Sequence, residues 1–246
     1  MDNFIELYRP WLRFFLCLSV CFALKTFISN EIKKAPQELA DKIFLDNYNN
    51  VYRIRGMLGI SGGTGVALIA KSGKKVVLTN RHVCLGTGDY VSMHNGNFGG
   101  QSAVLYKDLE ADLCVIDFPS HIPVAEIPLS SKIARGNEIV HAVGFPLDHD
   151  KNLSSGLVLR PLSIEVFGPF KDQTNCNRVF EFNKNKVCAI LENIVQTNIV
   201  AFPGNSGSPV FNNQNELIGL VSATDPRSNF AAMVLLVDIK RVLNKF

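Results

Sequence analysis

Charge of either sign is in short supply: 25 Lys and Arg against 22 Asp and Glu leave a formal net charge of +3. No basic stripe interleaves with aromatics, so nucleic acid is not an expected partner. Cysteines at C-x-x-C spacing are missing, and the histidines fall at no metal-ligand spacing, which argues against a metal site. There is no internal repeat and no low-complexity tract. Charged residues make up only 19% of the chain and hydrophobic ones 47%, the balance of a globular protein with a real core rather than a disordered one.

One long apolar run is present. Phe14 to Leu24 is unbroken, with Arg9 and Arg13 before it, a length that fits a signal-peptide core. Extended from Trp11 to Ile28 it nears the lower limit for a membrane span, and Arg13 and Lys25 can snorkel from its ends. A good small-x-small cleavage site is lacking. Residues 1–30 are therefore expected to be an uncleaved membrane anchor, with a cleaved signal peptide or an amphipathic helix as alternatives. Lys25, Lys33 and Lys34 balance the two arginines and leave the orientation open.

Residues 31–50 read as a polar linker with a short helix from about Pro36 to Phe44. From Val51 the texture changes to short runs of Val, Ile, Leu and Phe broken by Gly, Asn and Ser. Residues 65–70 and 75–80 flank a Lys-Ser-Gly-Lys turn and read as a hairpin. Further strands are expected over 89–94, 102–107, 113–118, 138–144, 155–166, 177–182, 187–197, 208–212, 215–223 and 230–236. This spacing describes an all-β sandwich or barrel. A polar stretch at 130–137 divides two strand-rich halves, 51–133 and 134–246. The chain closes on a short helix with Asp238 as its N-cap and Ile239, Val242 and Leu243 as its apolar stripe. Cys176 and Cys188 flank an expected hairpin, so two readings stay open: a cross-strand disulfide, or free buried thiols at Cys84, Cys114, Cys176 and Cys188.

Three places could carry chemistry. Ser206 lies in Gly204-Asn205-Ser206-Gly207. This is either a plain tight turn or a nucleophile whose neighbouring Gly204 lets the N–H groups of Gly204 and Ser206 converge as an oxyanion hole. His82 follows the apolar run Val76-Val77-Leu78-Thr79-Asn80, a rigid mount for a general base, although a lone histidine is more often surface or core. Asp112 stands directly ahead of the buried run Leu113-Cys114-Val115-Ile116, where a carboxylate needs a partner such as an imidazole N–H. Asp108, in a polar loop, and Asp117, at a strand end, are competitors. The chain order His, Asp, Ser is that of chymotrypsin, not of subtilisin or the α/β-hydrolases.

Gly63-Thr64-Gly65-Val66, Leu78-Thr79-Asn80-Arg81-His82-Val83, Ala111-Asp112-Leu113-Cys114 and Gly204-Asn205-Ser206-Gly207-Ser208-Pro209 resemble the bacterial trypsin-like serine proteases. The Deg-type and glutamyl-endopeptidase-like members are closest. The resemblance covers about residues 51–246, without the PDZ domain usual in Deg-type enzymes. It implies two perpendicular six-stranded antiparallel barrels, with His82, Asp112 and Ser206 as a triad, and Gly204 and Ser206 as oxyanion donors. No cofactor is implied, and the substrate is a protein or peptide. The S1 wall falls by resemblance on Val200, Ala201, Ser222, Ala223 and Thr224. No acid stands near residues 198–201, and Val221 occupies the place of the histidine of glutamyl endopeptidases. A small or medium apolar P1 is therefore expected. The protease part is expected outside the cytoplasm. The stretch 145–175 reads as loop-rich. Rival readings are a catalytically dead homologue and an unrelated β-barrel binding module.

Overall fold

The computed structural model describes residues 36–56, 62–85, 89–108, 110–167, 178–182, 185–225 and 230–246, with side chains outside 162–193 and 224–230. The expected apolar anchor and Cys176 lie outside these residues. Among the described residues no helix is long and apolar enough to cross a membrane. Residues 36–47 form helix α1.

Two antiparallel barrels follow, as the resemblance implies. The first is closed in the order β1-β2-β3-β6-β5-β4. Its strands are β1 (Val51–Gly56), β2 (Gly62–Ile69), β3 (Lys75–Asn80), β4 (Tyr90–His94), β5 (Gly99–Lys107) and β6 (Leu113–Asp117). The β2–β3 hairpin turns through Gly73, whose φ of 86° suits a left-handed turn position. Tyr52, Ile54, Val77, Met93, Ile116 and Phe118 fill the interior. Burial pushes the Tyr52 phenol up to about 12.

The second barrel takes β7 (Ile139–Gly144), β8 (Asn152–Phe167), β10 (Asn185–Thr197), β11 (Pro209–Asn212), β12 (Leu217–Asp225) and β13 (Phe230–Leu235). Their order is β13-β12-β11-β7-β8-β10, and a β13–β10 pairing closes the ring. Strand β9 (Arg178–Phe182) adds to β10 from outside the ring. The stretch expected to be loop-rich thus holds the sixteen-residue β8; bulges along its pairing with β10 let so long a strand follow the barrel wall. His141, buried in β7, has both ring nitrogens engaged by Ser155 and Asn213, a satisfied core histidine.

The terminal helix α2 (Leu236–Leu243) starts earlier than expected. Leu235 stands at the N-cap and Asp238 is inside the first turn, where it bonds Arg241. Arg241 also grips Asp108 with two hydrogen bonds of 2.9 and 3.0 Å. Asp108 does lie in a loop, between β5 and β6, but it is buried there. Its carboxylate accepts the N–H groups of Glu110 and Ala111, and its own N–H donates to Leu113. Burial raises its pKa, but the Arg241 and backbone donors outweigh it and hold the group down at about 2. The third acid, Asp117, pairs with Lys74 at 3.4 Å.

Candidate active site

The β3–β6 register builds half of the site. Asn80 pairs with Leu113, so the residues just past β3 meet the residue just before β6. Arg81 N–H donates to the Asp112 carbonyl at 3.0 Å, and Asn80 adds its side-chain amide. The chain then turns through a short 3-10 helix, His82–Cys84. Asp112 is left-handed, φ 50°, a conformation that Asp tolerates better than most residues and that functional sites often hold under strain. It is 7% exposed. Its carboxylate accepts the His82 backbone N–H at 3.0 Å and lies 2.9 and 3.1 Å from His82 Nδ1. A carboxylate there draws the imidazole proton to Nδ1.

The free-thiol reading fails for one pair. Cys84 and Cys114 form a disulfide, each two residues beyond a member of the His82–Asp112 pair. Connectivity of this kind is not written in cysteine spacing.

Ser206 arrives from the second barrel. Phe202 to Asn205 form a turn closed by Asn205 N–H to the Phe202 carbonyl at 3.0 Å. Pro203 occupies its second position and Gly204 its third, at φ 96°, which is type II geometry. A Cβ on Gly204 would stand 2.3 Å from the Phe145 oxygen, so glycine is required twice over. The Pro203 carbonyl accepts Leu147 N–H at 2.6 Å. Because a trans peptide sets C=O and N–H antiparallel, the Gly204 N–H points away from Leu147. Among the described residues the N–H groups of Gly204 and Ser206 have no hydrogen-bond acceptor.

Ser222 joins the two halves. The β12–β13 register slips between Val221 and Ala223, and this bulge re-aims the residue between them. The Ser222 hydroxyl donates to Asp112 at 2.7 Å, while its carbonyl accepts Ser206 Oγ at 3.2 Å. Ser222, expected as a wall residue of S1, turns its hydroxyl to Asp112. Of the other expected wall residues, Val200 is exposed and lines a cavity of about 200 Å³ with Phe202, Asn205 and Leu153, which Ala201 and Ala223 do not reach. The Thr224 side chain lies outside the described residues.

Sequence reading missed the segment that braces this turn. Leu147 and Asp148 are both left-handed, φ 50° and 63°. Asp148 meets Arg55 at 2.5 Å and Arg53 at 3.5 Å, and Arg53 donates to the His149 carbonyl. Two arginines on alternate residues of β1 were the available signal. Among the described residues no cluster of His, Cys, Asp or Glu could hold a metal.

The family described as "Trypsin-like peptidase domain" matches residues 63–220. The fold is similar to that of the Rv3671c protease from M. tuberculosis. Its active form matches with a TM-score of 0.63 at 16% identity, over 80% of this chain and 80% of that one. Its inactive form matches with a TM-score of 0.62 at 16% identity, over 82% and 91%. The serine endoprotease from Yersinia pestis gives 0.59 at 18% identity, over 84% of this chain and 65% of that one. Active and inactive forms fit alike, so these likenesses speak for the fold. The family match takes in more than half of the chain and spans His82, Asp112 and Ser206, so the chain belongs to the trypsin-like peptidase family and is a serine endopeptidase.

Proposed function

We propose that Ser206 is the nucleophile, His82 the general base and Asp112 the group that orients it. The observation that carries this reading is the hydrogen-bonded path from His82 Nδ1 to Asp112, to the Ser222 hydroxyl, and from the Ser222 carbonyl to Ser206 Oγ. In the first step Ser206 Oγ exchanges the Ser222 carbonyl for His82 Nε2 and attacks the scissile carbonyl carbon as its proton passes to the imidazole. The carbonyl oxygen becomes an oxyanion, met by the N–H groups of Gly204 and Ser206. Collapse breaks the C–N bond, and His82 returns the proton to the leaving amine. Water then repeats the sequence on the acyl-enzyme, and Asp112 keeps the imidazole in the Nδ1–H tautomer throughout.

Fluorophosphonate labelling of the full chain tests this. Labelling is lost in Ser206→Ala and His82→Ala, and Asp112→Asn loses about 10⁴-fold in kcat, the cost of leaving the imidazole in the wrong tautomer. A folded wild type that takes no label refutes the reading and makes the site a binding surface.

The P1 preference is for small or medium apolar side chains, supported by the absence of an acid among residues 198–201. A peptide panel cut best after Arg, Lys or Glu would refute it. Placement outside the cytoplasm, on an N-terminal anchor, is supported by the apolar run at 14–24 and by the Cys84–Cys114 disulfide, a bond that persists in oxidising compartments. Fractionation that leaves the native chain among soluble cytoplasmic proteins would overturn it.

A further inference from the structure

Thr64 stands in β2, fully buried, and belongs neither to the His82–Asp112 pair nor to the serine turn. Its backbone and side chain nonetheless meet the nucleophile turn at two carbonyls. Thr64 N–H donates to the Ser206 carbonyl at 2.7 Å. Thr64 Oγ1 donates to the Gly204 carbonyl at 2.8 Å and accepts the Phe145 N–H at 3.1 Å. A hydroxyl carries one proton, so this division of roles is forced: a backbone N–H can only donate and a carbonyl can only accept. The Thr64 carbonyl in turn accepts the Thr79 hydroxyl at 2.6 Å, which fixes Thr64 itself.

The consequence concerns the two peptide planes on either side of Gly204. The plane before it is held through the Pro203 carbonyl by Leu147. The plane after it is held through its own carbonyl by the Thr64 hydroxyl. That hydroxyl also anchors Phe145, two residues ahead of Leu147, so both restraints run back to one oxygen. Type I and type II turns differ by a flip of the central peptide. In the flipped turn, the Pro203 carbonyl would face where the Gly204 N–H now points, and no oxyanion could be received there. We infer that the Thr64 hydroxyl is a positioning group that keeps the Pro203–Gly204 peptide in the orientation presenting its N–H to the oxyanion. This inference rests on the proposed catalytic roles of Ser206, Gly204 and His82.

The test compares Thr64→Ser, which keeps the hydroxyl, with Thr64→Ala and Thr64→Val, which lack it, in the full chain. The readouts are kcat and KM on a peptide amide, and the affinity of a peptide aldehyde whose adduct with Ser206 places an oxygen in the hole. Thr64→Ser is expected to stay within about threefold of wild type, while the variants without the hydroxyl lose about 10²-fold in kcat, near the cost of one oxyanion donor. KM stays within about threefold, and the aldehyde weakens in step with kcat. A merely structural role would lower the melting temperature without coupling the aldehyde affinity to kcat. Thr64→Cys, with its weak donor, carries the comparison if Ala and Val do not fold: at least a tenfold kcat deficit against Thr64→Ser is expected. Wild-type turnover with the hydroxyl-free variants matching it, or altered only in KM, overturns the Thr64 role alone. A wild type without Ser206-dependent turnover overturns the catalytic reading and this inference with it.

Discussion

Breaking the Cys84–Cys114 bond gives the sharpest stability prediction. The bridge closes a loop of sequence separation 30. The chain-entropy relation assigns such a loop about 12 cal/mol/K, or about 3.6 kcal/mol at 25 °C. For a domain of this size each kcal/mol shifts the melting temperature by about 2–4 °C, so loss of the bond lowers it by about 7–14 °C. Both sulfurs are fully buried, so reductant acts as the chain unfolds rather than on the native state. The assay is thermal unfolding of wild type and of the Cys84→Ala/Cys114→Ala double variant, each with and without a phosphine reductant. Wild type should lose stability on reduction, and the double variant should be low already and insensitive. A wild-type transition that reductant does not move would refute the reasoning. So would a double variant that remains equally sensitive, since the sensitivity would then belong to another pair.

Three further outcomes are expected. Asp108 is held at about 2, below its unfolded value, so its contribution is fully present above about pH 4 and is lost as pH falls towards 2. Asp108→Asn should cost about 2 kcal/mol at neutral pH and flatten that acid limb in melts recorded from pH 5 to 2; an unchanged limb would assign it to other carboxylates. Gly204→Ala should lower kcat by about 10²- to 10³-fold, because its Cβ meets the Phe145 oxygen; turnover within a few-fold of wild type would show that the turn is not what positions the donor. Lys151 lies over the Tyr48 ring and against the Tyr48 carbonyl, with burial pushing its amine down to about 8. The native state therefore binds fewer protons than the unfolded one between about pH 8 and 10.4, and stability should rise there. Lys151→Met should remove that rise in denaturant titrations; a slope that survives would place its origin elsewhere.

The residues legible in the sequence are those whose placement follows from local texture. His82 and Asp112 sit at the ends of apolar runs, and an antiparallel pair of such runs brings the two ends together. Ser206 is legible because only glycine on both sides permits its turn. Ser222 is different: its position depends on a one-residue bulge, and its partner Asp112 lies 110 residues away. Thr64 reads as one more small residue between glycines, and its value comes from carbonyls 140 residues downstream. Asp108 and Asp112 look alike in sequence. What sorts them is Arg241, far along the chain, which claims the first and leaves the second to the histidine. Asp238 shows a smaller failure of the same kind, since strand β13 runs straight into α2 and gives the cap to Leu235.

The grip of Arg241 on Asp108 also sets an order of events during biosynthesis. Translation delivers Asp108 and Asp112 long before α2, because 133 residues separate the two ends of this contact. Until α2 has been made, Asp108, four residues ahead of Asp112, lacks its guanidinium partner. Pairings across such distances are slow to form, so the Asp108–Arg241 contact closes late, after the strands of both barrels have been made.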